Sequence, residues 1–274
     1  MLDFKVSKSD CVRCGQCALE CPVGIIEMQE EPKIAPEKEA YCVKCQHCLA
    51  VCPTGALSIL GKNPADSQKN NFILPDPEAM GEMIKMRRST RRYKKESLDK
   101  ELIRELLETA SLAPTGHNDN SVQFTVVDDA DTMDKLKDLF YASLNDMPET
   151  NIPEIKRAYL QQVSDMWKAN GVDIMFKDAP HVLIASVLKN CMTPQQDGII
   201  ALSYFELLAN ANGISTLWTD MVKTVIEDIN PDLRKSIGIP EDHLIAFTML
   251  FGKPAVKYAR SVQPEAAIIQ SVHF

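Results

Sequence analysis

An α+β chain of two domains is what the sequence predicts. A small cysteine-rich module spans residues 1–62, a linker spans 63–77, and a larger α+β domain spans 78–274. Three observations carry this division. Of the 9 cysteines, all but Cys191 fall between residues 11 and 52. The stretch from Gly61-Lys62-Asn63-Pro64 through Asn70-Asn71 to Pro75-Asp76-Pro77 is polar and rich in turn formers, which suits a connection better than a regular element. Beyond it, helical and strand patterns mix without the βαβ alternation of a parallel sheet.

With 274 residues, 45% of them apolar and 25% charged, the chain has material enough for two domains. No run approaches the roughly 18 apolar residues of a membrane helix. The start Met1-Leu2-Asp3-Phe4-Lys5 lacks the apolar core of a secretory signal, so the expected address is cytoplasmic, with no membrane partner. A balance of 30 basic against 38 acidic residues, net charge -8, provides no overall field for nucleic acid, and none is expected as a partner.

The first module is a duplication. Cys11-x-x-Cys14-x-x-Cys17-x-x-x-Cys21-Pro22 recurs as Cys42-x-x-Cys45-x-x-Cys48-x-x-x-Cys52-Pro53, and Val12, Arg13 and Gly24 match Val43, Lys44 and Gly55. Two equivalent sites related by a local pseudo-twofold are expected. Three thiolates at this spacing can wrap one corner of a cubane, while the cysteine before proline reaches the other cluster. Zinc normally takes two cysteine pairs and has no use for the third, and a disulfide framework fits poorly with the absence of an export signal. The module resembles a bacterial two-cluster ferredoxin over roughly residues 1 to 60. That resemblance implies one 4Fe-4S cluster on Cys11, Cys14, Cys17 and Cys52 and a second on Cys42, Cys45, Cys48 and Cys21. His47, inside the second loop, then reads as a hydrogen-bond donor to solvent or sulfur.

In the second domain, helical spacing covers 78–88 and 98–112, the latter with Leu98, Leu102, Ile103, Leu106 and Leu107 on one face. Strands are expected at 122–127, 182–188, 215–218 and 244–251, and further helices near 131–145, 153–169 and 222–237. A helix over about 196–212 carries Ile199, Ile200, Leu202, Phe205, Leu207 and Leu208 almost all round, so it should lie centrally buried.

The glycines form neither G-x-G-x-x-G nor a Walker loop, which removes support for a Rossmann or P-loop site. The run Arg87-Arg88-Ser89-Thr90-Arg91-Arg92-Tyr93-Lys94-Lys95 packs six cations into an acidic chain. Its ordinary role would be to answer the negative end of the preceding helix; guanidinium forks with a hydroxyl between them would equally suit a phosphate dianion. Ala113-Pro114-Thr115-Gly116-His117-Asn118 follows as a turn, and Phe251-Gly252-Lys253-Pro254 leads to Tyr258-Ala259-Arg260. In this order and spacing the three segments resemble the FMN-dependent nitroreductase family over residues 78 to about 262. The whole chain is thus similar to the ferredoxin-fused branch of that family: a 2x4Fe-4S ferredoxin-like domain followed by a nitroreductase-like α+β domain.

The resemblance implies FMN, with its phosphate on Arg87, Ser89 and Arg260, its ribityl-phosphate end near Arg88, and Arg91 near the flavin pyrimidine. A cation at that edge suits the negative charge that reduction leaves on the ring. Pro114, Thr115, Gly116, Asn118 and Asn120 form the turn that in the family contacts the flavin of the other subunit, which implies a homodimer. Asn120 stands where the family usually has Gln. Asp220 and Met221 stand near the ring edge, where Glu-Gly is frequent.

No catalytic acid-base side chain is implied, because the chemistry is centred on the flavin. The implied activity is that of an oxidoreductase, with NAD(P)H or a reduced ferredoxin-type protein as donor and two clusters as relay. The acceptor would be a small electron-poor organic molecule such as a nitroaromatic or quinone. The alternatives are a non-catalytic electron carrier or redox sensor, and a reductive dehalogenase or enoate-type reductase on the same fold. Outside these segments Cys191 reads as a buried free thiol and Trp167 and Trp218 as packing residues, while His181 precedes a strand without a visible partner. His117 lies in the proposed flavin turn and reads as structural rather than as a proton donor. The tail after Arg260 is expected to lie across a partner subunit.

Overall fold

The computed structural model describes residues 2–71, 73–145, 147–148 and 152–274. Its contacts divide the chain into two compact units, Met1–Leu74 with His117–Asp119, and Pro75–Gly116 with Asn120–Phe274.

In the first unit β1 (Lys5–Val6) is followed by the one-turn helix α1 (Gln16–Leu19), β2 (Ile26–Met28), β3 (Pro32–Ile34), α2 (His47–Ala50) and β4 (Leu57–Ser58). β1 pairs antiparallel with β4, and β2 with β3. The duplication in the sequence is repeated in the backbone. Positive φ occurs at Arg13 and Lys44 (both 56°), at Gly15 and Gln46 (75° and 61°), and at Gly24 and Gly55 (63° and 66°). Left-handed backbone at each of these positions turns a cysteine loop tightly into or out of its short helix. Leu2, Ile25, Ile26, Leu49, Leu57 and Ile59 form the core beneath.

The second unit begins with α3 (Pro77–Met86) and α4 (Lys100–Ala110), then β5 (Val122–Val127), α5 (Ala130–Asn145), α6 (Glu154–Asn170), β6 (His181–Leu188) and α7 (Pro194–Ala211). It ends with β7 (Ser215–Thr219), α8 (Met221–Thr224), a π turn (Val225–Ile229), α9 (Asp232–Ser236) and β8 (His243–Gly252). Aspartate caps fix two of the helix starts: Asp76 accepts from the Glu78 amide, and Asp99 accepts from the Glu101 and Leu102 amides. α3 stops at Met86, with Arg87 already extended at φ −57°, ψ 136°, so the basic run is an extended segment and not part of a helix.

The four strands form one antiparallel sheet in the order β5-β6-β8-β7. Alternation divides its residues between two faces. Val182, Ile184, Ile245 and Leu250 face α5, α6 and the π turn. Leu183, Ala185, Met249 and Phe251 face α4 and α7. As its apolar surround suggests, α7 is central. It approaches β8 so closely at Gly198 that a Cβ there would lie 2.3 Å from the Cβ of Ala246. Ala246 is the extra residue of a bulge, since Ala185 pairs with Phe247 and Ser186 with Ile245.

One element differs from expectation. The single helix expected over 222–237 is three pieces, α8, the π turn and α9. The break falls at Asn230 and Pro231, because proline has no N–H to donate and its ring clashes with the preceding turn. Among the described residues no helix is long and apolar enough to cross a membrane.

Candidate functional site

The eight cysteines of the first unit surround two cavities. One is lined by Cys11, Cys14, Cys17 and Cys52. The other is lined by Cys21, Cys42, Cys45 and Cys48, with His47 beside them. All eight are free thiols. The Lys44 amide donates to Cys42 Sγ at 3.4 Å and the Ala56 amide to Cys52 Sγ at 3.3 Å. Burial pushes the Cys48 thiol up to about 11 and raises Cys17. Burial also opposes ionisation of Cys52, but hydrogen bonds from the Thr54 hydroxyl and the Ala56, Thr54 and Gly55 amides outweigh it and bring that thiol below its ordinary value. Among the described residues no three His, Cys, Asp or Glu side chains converge as one metal ion would require. A cubane spreads its sulfur ligands over four corner irons, so four thiols around a cavity fit a cluster better than a single ion.

In the second unit the basic segment lies along the β7 edge and the end of β8. The Thr90 amide donates to the Thr216 carbonyl at 3.0 Å, Lys94 N to Lys253 O at 2.9 Å, and Ala255 N to Arg92 O at 2.9 Å. Tyr93 is buried and donates its hydroxyl to the Thr90 carbonyl at 2.8 Å. This pairing fixes the backbone that carries Arg87, Arg88 and Ser89. Arg87 Nη1 meets Glu206 Oε1 on α7 at 3.3 Å, and Thr216 Oγ1 donates to the same carboxylate oxygen at 2.8 Å. Arg88 Nη1 donates to the Arg87 carbonyl. Arg91 is exposed and donates to the Ser89 carbonyl at 3.2 Å.

The turn after α4 is tied to the start of α7. Gly116 N donates to Asp197 Oδ1 at 3.0 Å, and Thr193 Oγ1 donates to the same atom at 2.8 Å. A Cβ on Gly116 would lie 2.2 Å from Thr193 Oγ1, so only glycine fits. Asn120 N donates to Thr115 Oγ1 at 3.1 Å, and Pro114 is exposed. His117, Asn118 and Asn120 are left-handed, at φ 52°, 58° and 48°. Within the first unit, Asn118 Nδ2 donates to the Val43 carbonyl at 3.1 Å.

Asp220 follows β7 directly and pairs with Lys156 Nζ at 3.0 Å, whereas Met221 packs on the core of the α5 and α6 face. Arg260 is exposed in the segment after β8, and the tail beyond it has no regular structure and is exposed throughout.

A test of whether this surface fits a cofactor lies in its unsatisfied groups. Among the described residues three buried side-chain polar atoms lack a hydrogen-bond partner: Arg88 Nη2, Ser121 Oγ and Thr219 Oγ1. Arg88 lies in the basic run beside Ser89, Ser121 follows Asn120 of the turn, and Thr219 precedes Asp220 at the end of β7, whereas none lies in the segment from Phe251 to Arg260. Buried polar groups without partners are rare and costly, on the order of 1–3 kcal/mol each, so their placement here fits a polar ligand. Glu206 and Asp197, which anchor Arg87 and Gly116, did not figure in the reading of the sequence. Their signal was a carboxylate within an otherwise apolar helix.

Residues 84–253 match the Nitroreductase family, and residues 10–56 match the 4Fe-4S dicluster domain. A protein of Methanothermobacter thermautotrophicus named NADH dehydrogenase/NAD(P)H nitroreductase is 28% identical over 179 residues, 64% of this chain and 76% of the relative. Two crystal structures of nitroreductases with bound FMN share the fold. One, from Bacteroides fragilis NCTC 9343, gives a TM-score of 0.57 at 21% identity, covering 70% of this chain and 98% of that one. The other, from Desulfitobacterium hafniense DCB-2, gives 0.52 at 19%, also covering 70% and 98%.

Proposed function

The chain belongs to the nitroreductase family and carries a 4Fe-4S dicluster domain ahead of it, and from that premise we propose that it is an FMN-dependent oxidoreductase fed through two 4Fe-4S clusters. The observation that carries this reading is the placement of Arg88 Nη2, Ser121 Oγ and Thr219 Oγ1, buried and without partners in the chain, next to Ser89, Asn120 and Asp220, three of the residues proposed to hold the flavin. When bound, FMN supplies two-electron redox chemistry and the clusters one-electron capacity.

The protein's own part is to bind and to orient. Arg87, Arg88, Ser89 and Arg260 hold the phosphate, since charge-assisted forks suit a dianion. Arg91 places positive charge toward the pyrimidine edge. Asp220 and Met221 border the ring, and Pro114, Thr115, Gly116, Asn118 and Asn120 close the site of a second subunit in a homodimer. Cys11, Cys14, Cys17 and Cys52 hold one cluster, and Cys21, Cys42, Cys45 and Cys48 the other. No acid-base side chain is assigned. The donor is NAD(P)H or a reduced ferredoxin-type protein, and the acceptor a small electron-poor organic molecule.

Anaerobically reconstituted protein should contain one FMN and about eight iron and eight labile sulfide per chain. Its flavin absorbance should bleach on adding NADH, NADPH or reduced ferredoxin and recover with a nitroaromatic or quinone. Zinc without sulfide would remove the cluster assignment, and a chain that retains no FMN would remove the activity.

A further inference from the structure

Glu206 is out of place by composition. It lies on α7, where Leu202, Phe205 and Ala209 are fully buried against the sheet, and its own side chain is only 12% exposed. An isolated carboxylate at such a position is strongly disfavoured unless paired and hydrogen-bonded. Both conditions are met through one oxygen: Arg87 Nη1 lies 3.3 Å from Oε1, and Thr216 Oγ1 donates to it at 2.8 Å. Thr216 is itself fully buried, and its carbonyl receives the Thr90 amide. The basic segment is therefore anchored at two points on one strand residue, by its backbone at Thr90 and by its side chain at Arg87 through Glu206. Beside it Arg88 Nη2 is buried without a partner.

We infer that Glu206 is a positioning residue: it holds the Arg87 guanidinium in the orientation that receives the FMN phosphate, and so contributes to selection of the phosphorylated flavin over riboflavin. This rests on the assignment of Arg87 to that phosphate. A guanidinium is a planar fork with five donors, so a carboxylate at one corner fixes the plane in which the others point. The contact also removes side-chain freedom that binding would otherwise have to take away. The negative charge of Glu206 works in the opposite sense, because it repels a phosphate. Orientation and charge are separated by comparing variants of equal charge. Glu206→Gln keeps an oxygen for Arg87 and Thr216, Glu206→Ala keeps none, and Glu206→Met fills the volume without an acceptor of comparable strength.

The measurement is the dissociation constant of FMN, and of riboflavin exchanged in its place, from the recovery of flavin fluorescence on dilution of the full-length protein. Glu206→Ala and Glu206→Met should bind FMN about tenfold more weakly than Glu206→Gln, the size expected for losing one oriented charge-assisted contact. The three should bind riboflavin equally. With Arg87→Ala added, the difference between Gln and Ala at position 206 should vanish, since a residue acting through another has no effect once that other is gone. Equal FMN affinity in the Gln and Ala variants overturns the inference, as does a difference of the same size for riboflavin or one that persists without Arg87. A loss in the Ala variant that the Met variant does not share marks cavity collapse and also overturns it. Wild-type protein that binds no FMN instead removes the cofactor reading on which the inference rests.

Discussion

At the scale of single residues, hydrogen bonding sets roles that residue type leaves open. His181 Nε2 accepts from the Leu98 amide at 2.9 Å, so Nδ1 carries the proton that is donated to the Val127 carbonyl at 3.0 Å. The ring stacks on Phe251 and is fully buried. Burial holds its pKa below the ordinary 6.5, because a charged ring would lose its solvent and one of its two bonds. As pH falls below about 6.5 the unfolded chain therefore binds a proton that the native chain refuses, and stability present above that pH is lost as pH falls toward the depressed native value. The urea midpoint should drop between about pH 7.5 and 5.5, and drop less in His181→Gln; equal slopes in the two proteins would show that another group sets the acid limit. The place of this histidine at the start of a strand was readable in the sequence. Its two partners, 83 and 54 residues away in sequence, were not.

Elements show the same division between pattern and contact. The apolar surround of 196–212 announced a central helix, and α7 is one, but periodicity says nothing of how near a helix lies to its sheet. That distance is set at Gly198, where the bulge residue Ala246 leaves no room for a side chain. The same helix carries Asp197 under the Gly116 turn and Glu206 under Arg87, so its height over the sheet positions two of the three proposed flavin segments. Gly198→Ala should destabilise the protein by about 1–3 kcal/mol through overpacking, and Ala246→Gly in the same chain should restore most of the loss. Denaturant titration reads both effects, and no change in the single variant would mean that α7 is free to rise. Over 222–237 the apolar spacing is helical, but Pro231 breaks the helix there.

The whole molecule has a core for the cluster unit and two more on the faces of the four-stranded sheet. Removal of residues 1–62 takes away only the first, so the remaining chain should still fold cooperatively and retain FMN. It should lose rapid flavin reduction by reduced ferredoxin; reduction at the rate of the full chain would show that electrons do not enter through the clusters. By itself the sequence determined the mixed fold class, the cysteine-rich module, its duplication, and the three segments whose order identifies the family, because ligand spacing and turn chemistry are local properties of a chain. Only the tertiary structure decided that Glu206 and Asp197 stand behind Arg87 and Gly116, and which buried atoms remain without partners. Those facts depend on residues far apart in sequence meeting across a sheet face, and no local pattern encodes which of them meet.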